Sequence, residues 1–242
     1  MKLVNRQAWG ARSPKSPLQT LARTEGVKVH YTGDHVDPAM VDHHGRCGDL
    51  VQGIQNFHMD GRGWLDIGYT ALVCPHGYVF EGRGLHHLPA ANGTGLNSGH
   101  YAVCGMVGTS GLVDPSDAML NGIRDAIEWL RAQGDAGTEI KGHRDGYSTD
   151  CPGPKLYAWV KAGAPRPGDP LPWPGQLLKL GSQGGPVRWV QRLLNGKLDG
   201  PDLEVDGVYG PKTEASVRIY QAKHGLDVDG IVGRRTWDSL AG

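Results

Sequence analysis

Between Ala164 and Pro174 the chain reads APRPGDPLPWP, five prolines in eleven residues. Proline fixes φ and removes a backbone donor, so this stretch suits neither a helix interior nor the middle of a sheet. It predicts an extended, semi-rigid spacer over 164–175. The 242 residues then fall into a domain over 1–163 and a smaller one over 176–242.

The smaller domain contains an internal repeat. Val205-Asp206-Gly207-Val208-Tyr209-Gly210-Pro211-Lys212-Thr213 returns 23 residues later as Val228-Asp229-Gly230-Ile231-Val232-Gly233-Arg234-Arg235-Thr236. Asp-Gly marks a tight turn, the second glycine of each copy suits a positive φ, and each threonine is placed to cap a following helix. Val187, Val190, Leu193 and Leu194 share one helical face; Val217 and Tyr220 share another, and Trp237 and Leu240 lie three apart. Three short helices are expected. Nine Lys and Arg against eight Asp and Glu from Gly175 onward argue against a nucleic-acid role. The doubled D-G-x-x-G-x-x-T pattern resembles the peptidoglycan-binding module of bacterial and phage wall hydrolases, over roughly Leu178 to Leu240.

The first 163 residues mix strand and helix patterns. Gly26–Tyr31, Tyr69–Cys74, Tyr78–Glu81 and Tyr101–Val107 are short apolar runs with β-branched or aromatic residues. Leu50, Ile54, Phe57 and His58 recur at helical spacing, as do Leu120, Ile123, Ile127 and Leu130 after a capping Ser116 or Asp117. Interleaved strands and helices predict an α/β (α+β) fold: a mixed central sheet flanked by helices, plus the small three-helix domain.

Charges balance at 25 basic and 25 acidic residues, so no overall field draws the chain to nucleic acid. No run approaches the ~18–20 apolar residues of a membrane span. The polar N-terminus lacks a secretory apolar core, so synthesis in the cytoplasm and action on the wall after release are expected. Four scattered cysteines do not make a disulfide scaffold. Cys74 and Cys104 read as two buried thiols.

Three stretches carry the chemistry: Val29-His30-Tyr31, Gly142-His143-Arg144-Asp145 and Thr149-Asp150-Cys151-Pro152-Gly153. Two histidines and a cysteine match the three-ligand, one-open-position count of catalytic zinc. Such a metal makes water a usable nucleophile near neutral pH and polarises an amide carbonyl.

Around these stretches RQAWGAR (Arg6–Arg12), IQNFHMDGRGWLDIGYTALV (Ile54–Val73) and GHRDGYSTDCPG (Gly142–Gly153) resemble, in order and separation, the peptidoglycan recognition protein and type 2 amidase family, from about Leu3 to Lys161. The resemblance implies an N-acetylmuramoyl-L-alanine amidase that cleaves the bond between N-acetylmuramic acid and the L-alanine of the stem peptide. It implies zinc on His30, His143 and Cys151, and a catalytic Tyr69. Thr149 falls where short coliphage amidases carry lysine and recognition-protein amidases often carry threonine, and is assigned a catalytic hydroxyl. Asn92 replaces a histidine that often contacts glycan. Binding-only relatives typically lose the cysteine ligand, which this chain keeps. A phage endolysin acting as a monomer on bacterial peptidoglycan, without nucleic acid or membrane insertion, is the expected reading. A non-catalytic sensor and a Cys151–His143 cysteine hydrolase are the rivals.

Arg144 and Asp145 are expected to hold their loop and His58 to pack. His35, His43, His44 and Cys47 read as a polar insertion, at the surface or lining a groove, without a metal. His86, His87 and His100 are expected in a loop facing the substrate.

Overall fold

A computed structural model describes residues 1–168 and 173–242, and the chain divides into two compact units, Met1–Pro167 and Gly168–Gly242. The centre of the proline-rich spacer, 169–172, lies outside the described residues. Its first residues pack: Ala164 is buried in the core of the first unit, and Arg166 pairs with Asp125 and Glu128.

Among the described residues the strands are β1 (Lys2–Val4), β2 (Thr24–Tyr31), β3 (His35–Val36), β4 (Ala71–Val73), β5 (Tyr78–Glu81), β6 (His100–Gly105), β7 (Ser110–Gly111) and β8 (Ala136–Gly142). Six form one mixed sheet in the order β1-β5-β4-β6-β2-β8, in which β4 and β5 pair antiparallel and the other neighbours parallel; β3 and β7 make a separate pair. Burial on both faces explains the near-continuous apolar runs of β4 and β6. Strand β8 lacks such a run. Its sequence, AGTEIKG, suits an edge strand that leaves much of its length in water. Its backbone comes so close to β2 that a Cβ on Gly26 would stand 2.1 Å from the Glu139 carbonyl oxygen.

Helix α1 (Arg46–Asn56) runs on into a π-helical turn over Phe57–Gly61. Helix α2 (Asp117–Gln133) starts where Ser116 Oγ accepts from the Met119 amide, and it lays Met119, Ile123, Ile127 and Leu130 on the core. Such a cap contributes about 1 kcal/mol. Helix α3 (Pro154–Lys161) closes the unit with Leu156, Trp159 and Val160.

The second unit holds α4 (Gly185–Lys197), α5 (Pro211–Lys223) and α6 (Arg234–Ala241) around Leu178, Val187, Val190, Tyr209, Val217, Tyr220, Trp237 and Leu240. The repeat is built differently from expectation. The left-handed residue is the first glycine of each copy, Gly207 (φ 79°) and Gly230 (φ 70°). The second glycines, Gly210 and Gly233, are extended and stand at the helix N-caps. Thr213 and Thr236 therefore sit one turn inside, where their hydroxyls accept from the buried Gln191 and Gln221 amides at 3.3 and 3.2 Å. A glutamine from the preceding helix, not a threonine cap, locks each turn.

Candidate metal centre

The parallel pairing of β2 with β8 brings two histidines together. Val29 stands opposite Gly142, so His30 and His143 follow side by side at the C-terminal strand ends, with their rings 4.4 Å apart. Cys151 arrives from the loop after β8, its Sγ 3.6 Å from His30 Nδ1. One donor atom from each of the three lies within 4.8 Å of the other two. The structure thus assembles the trio expected from the sequence.

The loop is shaped by its own residues. The Arg144 amide donates to the Cys151 carbonyl at 3.0 Å. Asp145 accepts from the Gly142 amide at 2.8 Å and from the Tyr157 hydroxyl at 2.6 Å. Gly142 is required by space, since a Cβ there would stand 2.7 Å from the Tyr157 ring. Thr149 Oγ1 accepts from the Cys151 amide at 3.2 Å, which leaves the hydroxyl proton to donate elsewhere.

Asn92, singled out in the sequence only as a departure, is buried beside the trio. Its Nδ2 donates to the His100 carbonyl at 2.7 Å, which orients the amide so that Oδ1 faces His30 Nε2 at 2.8 Å. His30 must then donate from Nε2 and present the Nδ1 lone pair towards Cys151. A partner of this kind fixes the tautomer and orientation of a metal-binding histidine. No short-range pattern reveals it, because 62 residues separate the two.

Burial, then the neighbouring His143, push His30 down to about 3, against a weaker pull upward from Asn92. Burial likewise lowers His143, and it pushes the Cys151 thiol up to about 12. His143 Nε2 is buried without a hydrogen-bond partner. Two neutral imidazoles, a thiol that needs a cation to ionise, and an orphaned ring nitrogen fit zinc in donor type and count. Asn92→Ala is expected to weaken zinc affinity or activity by about 10–100-fold, read by competition with a chromophoric chelator.

An open groove of about 670 Å³ passes over the trio and is also lined by Tyr69, Thr149, Tyr147, Trp64 and Phe57. Tyr69 is buried, its ring 5.6 Å from His30 and its hydroxyl 3.5 Å from the Tyr31 carbonyl. Burial first, then nearby Cys104 and Cys151, raise its phenol well above the usual range, so it stays a proton donor. His58 positions this turn: its Nδ1 accepts from the Gly68 amide at 3.0 Å and its ring packs on Trp64 and Tyr69. Asp66 binds Gln55 at 2.6 Å and pairs with Arg6 at 2.9 Å, which ties the RQAWGAR segment to the turn carrying Tyr69.

Three other histidines depart from expectation, while His35 does not. His86, His87 and His100 do not line this groove, and His100 begins β6 and contacts Glu139 at 2.9 Å. Its position inside the sheet, rather than in a loop, keeps it from facing a substrate there. His35 does line the groove and contacts Ser110 at 3.2 Å.

Two histidines at neighbouring strand ends and a cysteine from the following loop make a cluster of the three-donor class that can hold one metal ion. The family model for N-acetylmuramoyl-L-alanine amidase matches residues 20–154, and that for a putative peptidoglycan binding domain matches 183–240. The chain belongs to the N-acetylmuramoyl-L-alanine amidase family and carries a peptidoglycan-binding domain. It is 34% identical over 155 residues to human N-acetylmuramoyl-L-alanine amidase, covering 62% of this chain and 26% of that protein. The chain therefore spans only about a quarter of that relative. It is 30% identical to Drosophila melanogaster peptidoglycan-recognition protein SC2 over 162 residues, covering 66% of this chain and 84% of the relative. Wild-type Drosophila PGRP-LB superposes with a TM-score of 0.57 at 26% identity, over 66% of this chain and 92% of that one. Human PGRP-IBETAC, solved in complex with glycosamyl muramyl pentapeptide, gives 0.56 at 26% identity, over 66% of this chain and 94% of that one.

Proposed function

We propose that this chain is a zinc-dependent peptidoglycan hydrolase that cleaves the amide between N-acetylmuramic acid and the L-alanine of the stem peptide. The convergence of His30, His143 and Cys151 on one point of an open groove carries the reading. Zinc held there supplies a Lewis acid that activates water and polarises the scissile carbonyl. Tyr69 is the donor best suited to the developing oxyanion, because burial keeps its phenol protonated beside His30. Thr149 offers a second hydroxyl at the groove wall, held in place by the Cys151 amide. Hydrolysis adds the water oxygen to the carbonyl carbon, breaks the C–N bond and delivers a proton to the departing alanine nitrogen.

Two rival readings fit less well. A cysteine nucleophile needs a lowered thiol pKa, whereas burial drives that of Cys151 up. A sensor needs no complete donor set, and this groove has one. The second unit is proposed to hold the enzyme on the wall, which raises its effective concentration on an insoluble polymer. An amidase so tethered suits an endolysin that reaches the wall after the membrane is breached.

Mass spectrometry of digested peptidoglycan tests the proposal. Free stem peptides beginning at L-alanine are expected, and they should vanish with chelator. Reducing-end sugars or cut cross-links would place the chemistry elsewhere, and binding without products would favour the sensor. Truncation after Pro167 should spare soluble muropeptides and weaken attack on whole walls. Equal loss on both would refute the proposed role of the second unit.

A further inference from the structure

A second cluster of metal-type donors lies outside the amidase centre. His44 and Cys47 flank the entry to α1; Cys74 and His76 sit in the turn between β4 and β5. Donor atoms of all four lie within 4.8 Å of one another. His76 Nδ1 is 3.6 Å from Cys47 Sγ and 3.9 Å from Cys74 Sγ, and His44 Nδ1 is 3.9 Å from Cys74 Sγ. Zinc bonds of about 2.3 Å to sulfur and about 2.0 Å to nitrogen, at tetrahedral angles, separate S from N by about 3.5 Å. The three spacings need to close by only a few tenths of an ångström to reach that value.

From this geometry we infer that His44, Cys47, Cys74 and His76 form a closed, structural zinc site. Both sulfurs are fully buried and neither is in a disulfide. The tautomer of His76 is set for the task. Its Nε2 faces the Val41 carbonyl at 3.1 Å and must donate there, which leaves the Nδ1 lone pair aimed between the two sulfurs. Metal-binding histidines commonly anchor their other nitrogen on a backbone carbonyl in this way. The His44 ring lies 4.0 Å from the Tyr78 ring and 5.0 Å from that of His76, which keeps it over the cluster although it is exposed.

Four protein donors leave no open position, so the site holds structure and does no hydrolysis. It staples the start of α1 to the β4–β5 turn. Leu50, Ile54 and Phe57, further along α1 and its π-helical turn, line the groove over the amidase centre. The staple therefore fixes one wall of that groove from a distance. On this inference the donor set differs from the His35, His43, His44 and Cys47 insertion that stands out in the sequence. His35 and His43 are not part of it, and Cys74 and His76 are.

Metal analysis of the full chain, purified under reducing conditions with zinc, tests the inference. Wild type should carry two zinc ions per chain. The double variant His143→Ala/Cys151→Ser should keep one, and its cobalt-substituted form should show thiolate-to-cobalt absorption from Cys47 and Cys74. Adding Cys74→Ser should remove that ion and that absorption. Adding His76→Cys instead should preserve both with a third sulfur, which covers the case in which the serine variant fails to fold. A double variant without zinc, or a Cys47–Cys74 disulfide in the reduced preparation, would overturn the site. Zinc lost only from the second cluster, with one ion kept on His30, His143 and Cys151, would overturn it equally and leave the amidase reading intact.

Discussion

His143→Ala is expected to lower hydrolysis of purified peptidoglycan by at least about 10³-fold, with loss of zinc from the amidase centre. Loss of an orienting partner alone costs about 10–100-fold, and deleting a ligand must cost more. His143 contributes the buried nitrogen that has no other partner, so no group in the protein replaces it. The fold should persist. His143 lies just beyond β8, and the core beneath is formed by strand residues such as Val27, Val29 and Val103. Circular dichroism should therefore match wild type while metal analysis loses one ion. A variant that keeps both zinc and product formation would sink the assignment. One that loses the far-ultraviolet signal as well would call for His143→Gln, which nearly matches the size of the imidazole.

The contrast between the two metal-type clusters shows what a sequence of this kind discloses. His30, His143 and Cys151 stand in long motifs, and the β2–β8 register that joins them follows from two strand ends meeting. Half of that register was not legible, because AGTEIKG has no apolar period to mark β8. The second cluster was only half legible, for another reason. Cys74 sits at the end of an apolar run and reads as a core thiol, while His44 and Cys47 lie some thirty residues away. Only the folding of α1 against the β4–β5 turn brings the pairs together. Asn92 shows the same limit: its value lies in one hydrogen bond to His30. The paired architecture of the second unit was legible from its repeat, but the groups that hold the repeat were not.

Those groups carry the second large prediction, Gln221→Leu. The Gln221 side chain is fully buried. It accepts from the Gly230 amide at 2.9 Å and donates to Asp229 Oδ1 at 2.8 Å and to the Ile231 carbonyl at 3.0 Å. Gln191 makes the same circuit with Gly207, Asp206 and Val208. Leucine fits the volume and preserves the helix, but leaves the buried Gly230 amide without a partner and takes one of two donors from the Ile231 carbonyl, which keeps the Gly233 amide at 3.1 Å. An unsatisfied buried group costs about 1–3 kcal/mol, so the orphaned amide amounts to about 2 kcal/mol. In a unit of this size each kcal/mol shifts the midpoint by about 4–8 °C, which predicts a fall of about 8–16 °C for this unit. Calorimetry of the full chain should show that transition moving while the transition of the amidase unit stays. Gln221→Glu adds a sharper test. Its carboxylate still accepts from Gly230 but faces Asp229 and the Ile231 carbonyl, so its folded pKa is raised above the unfolded value near 4.3. The unfolded state then binds fewer protons than the folded state, and the penalty must shrink as pH falls through the raised value. A midpoint for Gln221→Leu within a few degrees of wild type would mean that the helices, not the glutamine, hold the turn.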